Sequence, residues 1–307
     1  MEWLTDQIAQ KAWALFQETE AKGGALASLQ SGFIQSEVEK VAKAKEAALA
    51  TRKDIQVGVN QYANLGEKKV EGRKPDYSAI FKSRVAAVGE FRTAFDDVKH
   101  AKVIGKLSDL LGVTDEKLVN AAIDAVQAGA TLGEITRVIR ANDAERPTVK
   151  PLNLHRLSDA FETLRGNADK FLAKTGSRPK VFLAIMGPVS QHKGRGDFSR
   201  GFFEVGGFEV VYPKAGFETA AAAAEAAKAS GAKVVVLCST DDTYPELVPQ
   251  LVPAVKAAIP GVSVILAGQP ADQVEAHKAS GVDDFIHVRA NLLAVLGGLQ
   301  KKIGVVA

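Results

Sequence analysis

The sequence predicts an α/β fold, with a five-stranded, doubly wound parallel sheet over residues 179–307 and a mainly helical region before it. One observation is that short apolar runs alternate strictly with helical stretches after residue 179. Several of these runs are apolar on both faces, as a sheet covered by helices on both sides requires. The other is that a glycine follows each of four predicted helices, where a left-handed residue commonly ends a helix. These glycines are Gly207, Gly231, Gly261 and Gly281.

The alternation defines each element of this domain. The predicted strands are Val181–Met186, Glu209–Tyr212, Lys233–Cys238, Ser263–Ala267 and Asp284–Val288. The predicted helices are Phe198–Val205, Thr219–Ser230, Tyr244–Ile259, Ala271–Ser280 and Leu292–Ile303. Right-handed crossovers give an open sheet that binds ligands at the carboxyl ends of its strands. The loops at this edge are therefore candidates for a site: 187–197, 239–243, 268–270 and 289–291.

The region before residue 179 is predicted to be mainly helical. Residues 1–50 carry apolar residues at helical spacing, with a break at Gly23-Gly24. Asp54–Asn60 alternates apolar and polar residues, which indicates a strand. The charges and prolines of Asn142–Pro151 indicate a linker. Further helices are predicted at Ser83–His100, at Glu116–Gln127, after the capping-box residues Thr131 and Glu134, and at Leu154–Lys174.

Composition and charge exclude several classes of protein. The 307 residues are 46% hydrophobic and 24% charged, which is ordinary for a soluble globular protein. A net charge of +3, from 39 basic and 36 acidic residues, gives no reason to expect nucleic acid or a membrane surface as partner. The single cysteine, Cys238, excludes an internal disulfide framework and favours a reducing compartment. No secretory signal or membrane-spanning run is recognisable, so we expect a cytoplasmic protein.

His192 is the candidate for chemistry in loop 187–197. It could ligate a metal, act as an acid or base, or be a solvated loop histidine. No acid precedes it in the loop to orient the ring, and Asp197 is expected to cap the following helix. The adjacent Gly194-Arg195-Gly196 lacks the spacing of a phosphate-binding loop.

Two other loops at the same edge carry candidate residues. Ser239 to Asp242 could bind a ligand or a metal, or could cap the helix that begins near Thr243. Gly268 could allow close approach of a ligand, or could simply form the turn. The remaining histidines show no spacing that suggests a metal site, and no Ser-His-Asp arrangement is present in the sequence pattern.

The segment that contains His192 resembles the methylmalonyl-CoA mutases. The cobalamin domain of their active subunit carries Asp-x-His-x-x-Gly, in which the histidine ligates cobalt and the aspartate orients it. Counted back from Gly207-Phe208, this motif falls on Ser190 to Arg195. His192 keeps the position of the cobalt ligand, whereas Ser190 and Arg195 replace the aspartate and the glycine. The resemblance therefore implies a degenerate cobalamin site.

Two further motifs of the active subunit's cobalamin site are also altered in this sequence. Ser239-Thr240-Asp241 stands where the family has Ser-x-Leu, and Ala267-Gly268-Gln269 stands where it has Gly-Gly. The positions equivalent to cofactor-binding residues are thus His192, Ser190, Ser239 and Gly268. By contrast, Gly187 to Gly207 and Phe285 to Arg289 resemble the small, or beta, subunit of the family.

The resemblance also assigns domains along the chain. Leu4 to Gly24 and Ile55 to Tyr62 resemble the late part of the family's TIM barrel, and Phe161 to Arg165 resembles the helix that joins barrel and cobalamin domain. It implies a partial barrel end at 1–62, a helical region and linker at 63–150, a linking helix at 151–178, and a cobalamin-binding-like domain at 179–307. Because one strand cannot close a barrel, we expect the C-terminal part of a longer subunit.

What the resemblance implies for function is a small-subunit-like structural chain of methylmalonyl-CoA mutase, an isomerase. That enzyme interconverts methylmalonyl-CoA and succinyl-CoA with adenosylcobalamin. The cofactor, the acyl-CoA and the catalytic residues would belong to a larger subunit in a heterodimer, and this chain would not bind cobalamin. One alternative is the cobalamin-binding C-terminal part of an active acyl-CoA mutase, with His192 on cobalt. The other is a standalone flavodoxin-like interaction module.

Overall fold

The computed structural model describes residues 1–68, 70, 72–112, 116–143 and 147–306. The chain divides into two compact units. The first comprises Met1–Lys68 together with Lys150–Ala307, and the second comprises Lys69–Val149. Within the described residues, no helix combines the length and the apolar character needed to cross a bilayer.

The first unit begins with three helices, α1 (Glu2–Ala21), α2 (Gly24–Gln30) and α3 (Phe33–Ala50). They confirm the helical prediction for residues 1–50. The break between α1 and α2 lies at Gly23, whose φ of +95° is a conformation that favours glycine.

The strand predicted at Asp54–Asn60 is wrong, because a compact turn built on Asn60 takes its place. Asn60 is fully buried, and its Nδ2 donates to the carbonyl oxygens of Leu49 and Asp54, each at 2.8 Å. Its Oδ1 accepts from the Gln56 N–H at 2.8 Å. One side chain thus satisfies three backbone groups, which a ladder to a neighbouring strand would otherwise have to pair.

The second unit contains four helices, α4 (Tyr77–Arg92), α5 (Asp97–Asp109), α6 (Glu116–Gln127) and α7 (Leu132–Ile139). The bounds of α6 agree with the prediction. The single helix predicted at Ser83–His100 is wrong, because Asp96 interrupts it. The Asp96 carboxylate accepts from the N–H groups of Val98 and Lys99 and so begins α5. The linker predicted at 142–151 falls partly on residues 144–146, which lie outside the described residues.

Helix α7 begins at the capping box that the sequence predicted. The Thr131 hydroxyl accepts from the Glu134 N–H, and the Glu134 carboxylate accepts from the Thr131 N–H and hydroxyl. Arg92 of α4 also pairs with this carboxylate. The hydrogen bonds from Thr131, together with Arg92, lower the pKa of Glu134 from 4.5 to about 2.

Replacing Glu134 with glutamine is expected to lower the stability of the second unit by roughly 1–2 kcal/mol at neutral pH, because the charged hydrogen bonds are lost. Since the folded pKa is depressed, the contribution of the carboxylate is present above pH 4.5 and is lost as the pH falls towards 2. Peptide-resolved hydrogen exchange of α7 at several pH values measures this difference. Glu116→Gln, an exposed first-turn substitution in α6, is the matched control. Equal effects of the two substitutions would contradict the prediction.

The α/β part of the first unit follows helix α8 (Asp159–Thr175). Helix α8 begins later than the predicted Leu154. The backbone N–H and the Nε of Arg156 both donate to the Asp159 carboxylate, and this contact marks the start of the helix. The strands are β1 (Lys180–Ile185), β2 (Glu209–Val211), β3 (Val234–Cys238), β4 (Ser263–Ala267) and β5 (Asp284–Ile286). The helices between and after them are α9 (Val189–Glu204), α10 (Ala220–Ser230), α11 (Tyr244–Ala258), α12 (Val274–Ala279) and α13 (Leu292–Lys302).

The five strands form one parallel sheet in the order β2-β1-β3-β4-β5. This confirms the doubly wound, flavodoxin-like prediction. The central strands β3 and β4 are buried along their whole length. One apolar layer includes Phe161, Phe203 and Leu296, and the other includes Val248 and Leu251. Strand order reverses between β1 and β3, so a ligand crevice is expected beside the loops that follow these two strands.

Candidate functional site

The segment after β1 is a helix where the sequence predicted a loop. Helix α9 begins at Val189, after the short connection Met186–Pro188, so the predicted helix start at Phe198 is wrong. Asp197 therefore lies within the helix and pairs with Lys193 at 2.9 Å, and the capping role predicted for it is also wrong. The glycines that suggested a loop have a packing reason: a Cβ at Gly196 would overlap the hydroxyl of Tyr212.

His192 lies on α9 and is 4% exposed, so it is not a solvated loop histidine. Its ring packs against Gly216, where an added Cβ would lie 2.9 Å from Cδ2 and 3.0 Å from Nε2. Neither ring nitrogen has a hydrogen-bond partner among the described residues. Burial lowers the pKa of His192, and the neighbouring Lys193 ammonium lowers it further. Both effects favour the neutral form of the imidazole.

Ser190, at the position of the family's orienting aspartate, is exposed in the first turn of α9. It makes no hydrogen bond to the ring of His192. The two residues therefore share a helix without forming the ligand–orienter pair of a metal site. In the described part of the chain, no three His, Cys, Asp or Glu side chains come close enough to hold a metal ion.

Gly268 lies beneath an ion pair that the sequence did not predict. The Nη2 of Arg195 on α9 is 3.0 Å from Oδ1 of Asp241, in the loop after β3. A Cβ at Gly268 would lie 2.9 Å from Nη1 of Arg195 and 2.9 Å from Oδ1 of Asp241. The pair thus fills the space above the turn after β4, where close approach of a ligand was one prediction.

Ser239 is fully buried and connects the ends of the central strands. Its hydroxyl donates to the Met186 carbonyl at 3.4 Å and accepts from the Thr243 hydroxyl at 2.8 Å. Its backbone N–H donates to Oη of Tyr244 at 3.1 Å, and this hydroxyl donates to the Ala267 carbonyl at 2.7 Å. The capping role predicted for Ser239 to Asp242 is not observed, because α11 begins at Tyr244 with Thr243 at the N-cap position and without a side-chain cap.

The structure therefore brings the predicted positions to one edge of the sheet and fills the space between them. Tyr244 links Ser239 to Ala267, and the Arg195–Asp241 pair lies over the neighbouring Gly268. Tyr244, Tyr212, Gly216 and the pairing of Arg195 were missed by sequence reasoning. An aromatic residue at the start of α11 was the one local signal for this network, since a buried tyrosine hydroxyl needs partners.

The sheet order and this edge define the class of the C-terminal part as a flavodoxin-like α/β domain, here preceded by helical regions. Comparison with known proteins shows which proteins the chain is similar to. The family model described as methylmalonyl-CoA mutase matches residues 1–145. The chain is 29% identical over 262 residues to a methylmalonyl-CoA mutase of Rhizobium meliloti (strain 1021). The aligned residues cover 83% of this chain and 36% of that protein.

Two relatives named as small subunits match almost the whole chain. The methylmalonyl-CoA mutase small subunit of Streptomyces virginiae is 28% identical, over 99% of this chain and 37% of its own length. That of Porphyromonas gingivalis is 26% identical, over 99% of this chain and 38% of its own length. These matches confirm the resemblance: the chain is similar to methylmalonyl-CoA mutases, and in particular to their small subunits. It spans little more than a third of the length of these relatives.

A comparison of structures finds a cobalamin-binding protein from Desulfitobacterium hafniense DCB-2. The match has a TM-score of 0.34 and 21% sequence identity, and covers 66% of this chain and 98% of that one. At this level of similarity, the match carries no argument about the function of the present chain.

Proposed function

We propose that this chain is a small-subunit-like, structural component of a methylmalonyl-CoA mutase and is not catalytic by itself. Adenosylcobalamin and the acyl-CoA substrate would bind to a larger partner subunit, in a cytoplasmic heterodimer. The similarity to two named small subunits over 99% of the chain supports this assignment. In this proposal, residues 1–62 correspond to a barrel end, 63–150 to a helical region, 151–178 to a linking helix, and 179–307 to the cobalamin-binding-like domain.

The observation that carries the proposal is the Arg195–Asp241 pair over Gly268. A corrin ring with its nucleotide tail needs room beside the backbone at this edge, and the two side chains occupy that room. The side chains of Arg195 and Asp241 are 34% and 46% exposed, so separating the ion pair would cost only about 1 kcal/mol or less, and it is the volume of the two side chains that stands against the cofactor. His192 is likewise enclosed and lacks an orienting carboxylate. These residues do not fit the cofactor.

One observation favours the alternative of an active, cobalamin-binding mutase. Burial favours the neutral form of His192, and both ring nitrogens lack a hydrogen-bond partner among the described residues, as is expected of a histidine that is available to ligate a metal. This reading requires α9 to move before the ring could reach a metal. The two proposals therefore predict opposite consequences of removing the imidazole.

The test is reconstitution with the mutase large subunit of the same source organism. We expect the two chains to copurify, and His192→Ala to leave the cobalamin content and the turnover of the complex within about twofold of the unsubstituted complex. Gln191→Ala, at the neighbouring position of α9, is the control. Loss of cobalamin or of turnover with His192→Ala alone would establish the alternative. Failure of the chains to associate would overturn the structural-subunit proposal.

A further inference from the structure

One face of α9 contacts the loops that follow three of the five strands. Residues on this face recur at helical spacing along the first half of the helix. His192 packs against Gly216 in the loop after β2. Arg195 pairs with Asp241 after β3 and lies over Gly268 after β4. The next turn adds Ser199, whose Oγ is 3.6 Å from Sγ of Cys238 at the end of β3.

A short segment after β2 closes this arrangement from the other side. We call residues 213–217 the strap. The N–H of Phe217 donates to the Ile185 carbonyl at 2.8 Å, and the N–H of Gly187 donates to the Phe217 carbonyl at 3.0 Å. The strap is thus hydrogen-bonded to the end of β1 in the manner of an added strand residue, and His192 lies against it.

Two glycines show how closely these surfaces meet. A Cβ at Gly216 would overlap the carbonyl oxygen of Gly187 and press on the His192 ring. A Cβ at Gly196 would overlap the hydroxyl of Tyr212. At Gly194, on the same helix, an added Cβ would have no atom within 4 Å apart from the adjoining residues and backbone of the helix itself. The absence of side-chain atoms is therefore needed at the contact with the strap and at the contact with Tyr212, and is not needed at Gly194.

We propose that the first half of α9 and the strap form a built-in cover over the carboxyl edge of the sheet. Residues 189–197 are helical, and the side chains of His192 and Arg195 lie against the loops around the crevice that a ligand would enter. The inference deepens the proposed function and rests on it, because it gives the physical reason why this domain would serve as structure. The cover makes the stability of the edge independent of a bound cofactor.

Hydrogen exchange of the full chain, resolved to peptides of α9, tests the cover. With the protein alone, the amides of the first half of α9 should exchange about 100-fold or more slowly than in an unstructured peptide. Adding excess aquacobalamin should leave that rate unchanged. The inference is overturned if these amides exchange like an open loop, or if protection appears only with aquacobalamin.

A matched pair of glycine substitutions locates the cause. Gly216→Ala should speed exchange of the first half of α9 about tenfold or more, because the new methyl group separates the strap from His192. Gly194→Ala should leave exchange unchanged or slow it, because alanine favours a helix over glycine. Equal rates in the two variants would contradict the inference. If Gly216→Ala does not fold, Gly196→Ala probes the same cover through Tyr212.

The outcome is separable from that of the proposed function. A protected α9 in a chain that fails to bind any large subunit would retain the cover and remove the structural-subunit role. If α9 is unprotected in a chain that assembles with the large subunit and supports turnover, the structural-subunit role is retained and the cover is ruled out.

Discussion

Replacing Asn60 with alanine should lower the free energy of unfolding of the first unit by about 3 kcal/mol. The substitution removes three hydrogen bonds of 2.8 Å, made to Leu49, Asp54 and Gln56. The side chain is fully buried, so truncation leaves backbone groups in the turn without their partner while much of the turn stays shielded from water. Urea unfolding followed by circular dichroism measures the change.

Asn64→Ala is the matched control for this prediction. The side chain of Asn64 is exposed and accepts one hydrogen bond, from the Gly66 N–H at 3.0 Å. Its loss should cost about 0.5 kcal/mol or less, since water replaces the lost partner. If both substitutions cost the same, Asn60 does not organise the turn.

Replacing Tyr244 with phenylalanine should cost about 2 kcal/mol, although the ring is kept. The hydroxyl accepts from the Ser239 N–H and donates to the Ala267 carbonyl, and both of those residues are fully buried. Burial raises the pKa of Tyr244 well above its ordinary value, so the hydroxyl remains a donor across the working pH range. Phenylalanine would leave one donor and one acceptor unpaired between β3 and β4.

Tyr62→Phe provides the comparison, because Tyr62 is 71% exposed. It removes the same atom without burying an unpaired group, and its effect on urea unfolding should be within about 0.5 kcal/mol. A Tyr244→Phe protein as stable as Tyr62→Phe would show that the hydroxyl network contributes nothing to the edge.

The sheet could be predicted from the sequence because its signals are local. Strands such as Ser263–Ala267 are short apolar runs, and each is followed by a helix with a clear end. The strand predicted at Asp54–Asn60 failed for a different reason. Alternation of apolar residues indicates a strand only if a partner strand pairs with it, and here the buried amide of Asn60 takes that role.

The location of the candidate site could be predicted from the sequence, whereas the contacts between its side chains could not. The carboxyl ends of the strands identified His192, Ser239 and Gly268, as the topology of an open parallel sheet requires. The glycines of α9 were misread as loop residues, since the reason for Gly196 is Tyr212, on another element. The ion pair of Arg195 with Asp241 joins residues far apart in the chain, and no local sequence pattern predicts such a contact.

Titration of the purified chain with adenosylcobalamin tests the central claim most directly. The account predicts that the absorption spectrum of the cofactor stays that of the free form in the presence of excess protein, because the crevice is filled by Arg195, Asp241 and the enclosed His192. A saturable change to a spectrum in which a histidine has replaced the cofactor's own base on cobalt, absent in His192→Ala, would contradict the account.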